Sequence, residues 1–107
     1  MEKEAKTTLD SFLGLVRKIR SYDEAIGLMH WDLRTGAPRK GAEQRSEVIG
    51  MLSAEDFKLR ISDEMGSYLE ALTRPDTYEA LDDISRRIVD ECKKEYDENK
   101  SIPAEKF

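Results

Sequence analysis

Histidine, cysteine and carboxylate side chains carry most metal and acid–base chemistry, and this sequence supplies them unevenly. His30 is its only histidine. With Asp32 it makes half a metal site at most, because zinc sites take three or four protein ligands at set spacing. No HExxH sequence, second histidine or cysteine pair accompanies it, so a packed or hydrogen-bonded histidine closing the first helical segment is expected. Cys92 is the only cysteine, which excludes an internal disulfide and a cysteine-based zinc site. It falls on an apolar stripe with no histidine nearby to activate a thiol, and reads as core. The pairs Asp82-Asp83 and Asp90-Glu91 look like acid–base dyads, yet neighbours on a helix point about 100° apart and do not converge. Their spacing to Arg86, Arg87, Lys93 and Lys94 fits a solvated face with ion pairs one turn apart. Met29, Met51 and Met65 sit at helical apolar positions and read as core filling.

One stretch is less ordinary. Met29-His30-Trp31-Asp32-Leu33-Arg34-Thr35-Gly36-Ala37-Pro38 sets the single tryptophan beside an aspartate, just before a Gly/Pro loop. A large aromatic next to such a loop either anchors a neighbouring element or lines a cleft, and the residues alone leave both open.

The elements that position these groups follow from periodicity. Apolar residues recur every three or four positions at Leu9, Phe12, Leu13, Val16, Ile19, Tyr22, Ile26 and Met29, which predicts an amphipathic helix over about 2–33. Gly14 and Gly27 weaken it by about 1 kcal/mol each relative to alanine. Ser21 with Glu24 resembles a capping box, so one bent helix and two abutting ones are both open. Two glycines and a proline make residues 34–41 a loop. A second helix is predicted over 42–60, with Val48, Ile49 and Leu52 on one side. Ser62, followed by Asp63 and Glu64, is a good N-cap for a third over 63–73. The fourth is expected over 77–99, capped by Asp76 and Glu79, with Leu81, Ile84, Ile88, Cys92 and Tyr96 on one stripe. Ser101-Ile102-Pro103 reads as the start of a further helix, over 101–107. No strand pattern or repeat is present, so the prediction is all-α: three to four antiparallel amphipathic helices.

Composition agrees. Of 107 residues, 38% are hydrophobic and 38% charged, which suits a helical protein better than a β-sandwich. Net charge is −5, and residues 76–100 hold nine acids against five bases. No strongly basic face is expected, so nucleic acid and anionic membranes are not expected partners. Without a bilayer-length apolar run or an apolar stretch behind the charged N-terminus, the expected location is cytoplasmic.

Trp31-Asp32, Thr35, Pro38, Gly41 and Arg45, followed by Leu52-Ser53, resemble the N-terminal region of the carboxypeptidase Taq family, in its Bacillus-type form. Lys93 through Pro103 is similar to that family's link into its next helix. Ala37 and Ala54-Glu55 depart from residues common in the family, methionine and a His-Glu pair respectively. The resemblance implies an N-terminal wall or lid of a larger, mostly helical metallocarboxypeptidase that releases C-terminal amino acids from peptides. It further implies a divalent metal (zinc or cobalt) for the parent, a homodimer, and a substrate channel that Trp31, Asp32, Thr35, Pro38, Gly41 and Arg45 help to line. The HExxH ligands and general base would lie beyond Phe107, so no catalytic or metal-ligating residue is assigned here and the chain alone is expected to be inactive. The alternative is a free-standing acidic helical module that binds other proteins. Separated from its catalytic core, the chain is expected to bare apolar surface at Phe12, Val16, Ile19, Ile84 and Ile88.

Overall fold

A computed structural model describes residues 3–34 and 39–100, apart from the side chains of residues 33 and 39–42. Five helices follow one another: α1 (Lys3–Arg34), α2 (Arg39–Arg60), α3 (Asp63–Leu72), α4 (Pro75–Ala80) and α5 (Asp83–Lys100), with no strand among the described residues. The all-α expectation holds.

The first helix is unbroken. The Ser21 hydroxyl, expected as a possible restart cap, instead donates to the Arg17 carbonyl at 3.0 Å, one turn back along the same helix. A Cβ added at Gly14 or Gly27 would meet nothing within 4 Å, so neither glycine serves a kink or a close approach. α1 continues through Arg34, and α2 starts at Arg39, earlier than the expected residue 42. Of the loop expected over 34–41, residues 35–38 lie outside the described residues, as does the helix start expected over 101–107.

Residue pairs set the directions of the helices. Asp32 meets Arg45 while Asp23 meets Arg60, so α2 runs antiparallel along the C-terminal half of α1. α3 continues the same path along the N-terminal half: Met65 lies by Val16 and Ile19, and Leu72 by Thr8. Ser62 caps α3 as expected, accepting from the Met65 N–H at 3.1 Å and donating to the Leu59 carbonyl at 2.9 Å. Glycine at position 66 lets α5 come close, since a Cβ there would sit 2.5 Å from Tyr96 Oη.

The helix expected over 77–99 is two helices. Arg74 takes the N-cap position of α4 with Pro75 in its first turn, and the short helix stops at Ala80. Leu81 is then extended and buried at 3% exposure. Asp82 restarts the chain by accepting from the Ser85 N–H at 3.3 Å. Arg86 reaches back to donate to the Glu79 carbonyl at the end of α4, and to the Tyr78 carbonyl at 3.1 Å, which also accepts from the Leu81 N–H. The rephased α5 buries Ser85 and Val89, and Ile84 turns outward at 70% exposure, off the stripe predicted for it.

The core comprises Phe12, Leu15, Val16, Ile19, Met65, Leu69, Leu72, Leu81 and Val89. Phe12, Val16 and Ile19, expected to be bare in the separated chain, are therefore covered by α3 and α5. Every one of these buried side chains lies at one end of the molecule. Among the described side chains, residues 20–32 of α1 and 43–60 of α2 add no buried hydrophobic residue, and these stretches project as a two-helix arm. The radius of gyration, 17.0 Å, exceeds the roughly 13 Å of a compact domain of this length.

Candidate functional site

The resemblance singled out the tip of the arm. Trp31 and Asp32 occupy the last turn of α1, and Arg45 follows the first turns of α2. Arg45 Nε donates to Asp32 Oδ2 at 2.5 Å, an exposed ion pair that ties the helices just below their connection. Trp31 is 65% exposed. Gly41 falls in the opening turn of α2, while Thr35 and Pro38 lie outside the described residues. The structure thus joins Asp32 to Arg45 and sets Trp31 on the surface beside them. His30 is exposed on α1 rather than packed, because the arm projects past the core that was expected to cover it.

A second constellation went unnoticed in the sequence. At the base of the arm, Arg60 gathers three carboxylates from three helices: Asp23 of α1 at 2.6 Å, Asp56 of α2 at 3.2 Å, and Glu95 of α5. Asp56 is buried at 7% exposure because it continues the inward positions of Val48, Ile49 and Leu52 one turn on, although it is an acid. Burial and a hydrogen bond with Asp23 push its carboxyl up to about 6, against the pull of the guanidinium. Burial also works to raise Asp23, but hydrogen bonds with Asp56 and Arg60 outweigh it and hold this carboxyl below its usual value. Burial opposes the charge on Arg60, yet Asp23 and Glu95 overcome that and raise its pKa further, so it stays a cation. Asp23 and Asp56 therefore form a proton-sharing pair facing one fixed positive charge.

Beside this node a cleft of about 220 Å³ is floored by Val16, Ile19, Met65 and Ile88 and rimmed by charged side chains. Cys92 lies in its wall. Burial, with Glu95 adding to it, pushes the thiol up to about 11, so it is protonated at neutral pH and a poor nucleophile.

These residues do not fit a metal ion. Among the described residues no three His, Cys, Asp or Glu side chains are grouped to hold one. Where Asp23, Asp56 and Glu95 converge, the guanidinium already fills the centre. No helix among the described residues is long and apolar enough to cross a membrane.

The described residues thus form an all-helical body with its core at one end and a two-helix arm projecting from it. A sequence model of the carboxypeptidase Taq (M32) metallopeptidases matches residues 11–107, and the chain belongs to that family. It is similar to Carboxypeptidase 1 of Bacillus subtilis (strain 168), 43% identical over 97% of this chain. The fold matches the crystal structure of BsuCP with a TM-score of 0.83 and 42% identity over 91% of this chain. The chain spans only 20% of the length of the first relative and 19% of the solved chain.

Proposed function

We propose that this chain is the N-terminal helical wall of a metal-dependent carboxypeptidase that releases C-terminal amino acids from peptides. The observation that carries this reading is the close match, in sequence and fold, to about one fifth of a carboxypeptidase. The metal ligands and the base belong to the other four fifths, and zinc or cobalt is the proposed metal. In the assembled enzyme, proposed to be a cytoplasmic homodimer, the arm tip with Trp31, Asp32, Thr35, Pro38, Gly41 and Arg45 lies along the peptide channel. There the Asp32–Arg45 pair fixes the orientation of the last turn of α1 beside Trp31.

The test compares the chain alone with a chimera in which it replaces the matching fifth of the Bacillus subtilis enzyme. Peptide digestion followed by mass spectrometry should show stepwise C-terminal loss with the chimera only. A chelator should stop that loss, and zinc or cobalt should restore it. Release of amino acids by the isolated chain, or a folded chimera without activity, would overturn the proposal.

A further inference from the structure

Three large apolar side chains lie bare on the arm: Leu28 at 64%, Trp31 at 65% and Met51 at 69% exposure. Helix geometry relates two of them. Starting from the Asp32–Arg45 pair, four residues back along α1 reach Leu28 and six forward along α2 reach Met51, within about 3 Å of the same height. The helices meet through the half-buried Tyr22, Ile26 and Met29 on one side and Val48, Ile49 and Leu52 on the other. At 100° per residue, Leu28 stands about 125° and Met51 about 105° round from that seam, both in the same rotational sense. Because the helices are antiparallel, those offsets point to the same face of the hairpin. The half-buried Ala25 and Val48 lie between them. This face is turned away from α5, which approaches α1 on the Arg20 and Asp23 side.

We propose that this face, centred on Leu28 and Met51, is the seat on which the remaining four fifths of the enzyme dock through an apolar surface. The inference rests on the function proposed above. The fifth of the relatives that this chain matches leaves ample length to cover the arm. Burying Leu28 and Met51 would give the arm the hydrophobic contact that α3 and α5 provide only to the other end. The face is assigned to the enzyme's own polypeptide rather than to a second copy of this chain. Under the function proposed above that polypeptide is continuous with this chain, so it is always at hand, whereas a second copy must be met by diffusion.

The test introduces Leu28→Glu and Met51→Glu separately into the isolated chain and into the chimera, with helicity checked by circular dichroism. In the isolated chain, where both side chains already meet water, melting temperatures should stay within a degree or two of the parent. In the chimera each substitution should lower melting by several degrees. No change in an active chimera would overturn the docking face and leave the family function standing. A loss in the isolated chain that grows with protein concentration would assign the face to a second copy, and so overturn the proposal. A chimera that folds without activity would remove the functional reading, and this inference with it.

Discussion

Replacing Asp56 with asparagine should stabilise the protein at pH 8, although it removes a charge that faces Arg60. The folded-state pKa of Asp56 is about 6, against an ordinary aspartate value of 3.8. A raised acid pKa means that the folded state holds the proton more tightly than the unfolded state. The stability so gained is full below about pH 4 and is lost as pH rises through 6. Two units at about 1.4 kcal/mol each set a ceiling near 3 kcal/mol. The true figure is closer to 1–2 kcal/mol, because Asp23 shifts the opposite way and returns part of the difference. Asparagine keeps the geometry without the charge: its amide donates to Asp23, and its carbonyl oxygen accepts from Arg60 Nε, as Oδ1 does at 3.2 Å. Urea denaturation at half-unit steps from pH 4 to 8 should therefore show a falling stability in the parent and a flatter profile in Asp56→Asn, with the variant ahead above pH 6. An unchanged slope, or a variant weaker than the parent at pH 8, would refute the shared proton.

Three further substitutions test the fold. Gly27→Ala lies in an exposed helix interior with no atom near the new methyl, and should add about 0.5–1 kcal/mol, read as a rise of a few degrees in melting. Gly66→Ala places its methyl 2.5 Å from Tyr96 Oη, so it should fall about 1–2 kcal/mol short of Gly27→Ala, and adding Tyr96→Phe should recover part of that deficit. Ser62→Ala removes the cap of α3 and should cost about 1 kcal/mol in urea denaturation, while Ser53→Ala on the exposed side of α2 changes little.

Local signals made much of the fold legible. Ser62 and the two acids behind it mark the start of α3, and Met65, Leu69 and Leu72 repeat at helical spacing into the core. The break at Leu81 was hidden because Leu81, Ile84 and Ile88 imitate one unbroken stripe. The signal against that reading was Asp82 three residues ahead of Ser85, a cap that competes with Asp76 and Glu79. Trp31, Asp32 and Arg45 stood out through their loop and their family resemblance. The Arg60 node did not, since its partners Asp23 and Glu95 lie 37 and 35 residues away, a distance no periodicity spans. Its one local trace was Asp56, an acid on the apolar side of α2.

The arm also makes α1 a lever, gripped in the core through Phe12, Val16 and Ile19 and braced at the base of the arm by Arg60. Eleven residues of helix separate Asp23 from Arg34, about 16 Å of nearly incompressible rod. A tilt of about 10° of that rod in its grip would carry Arg34 about 3 Å relative to Asp23, the width of a water molecule. Small displacements in the core are thus magnified at Trp31, and movements of Trp31 arrive in the core reduced. Where the tip comes to rest is decided far from the tip, by how α1 is packed and braced at the other end.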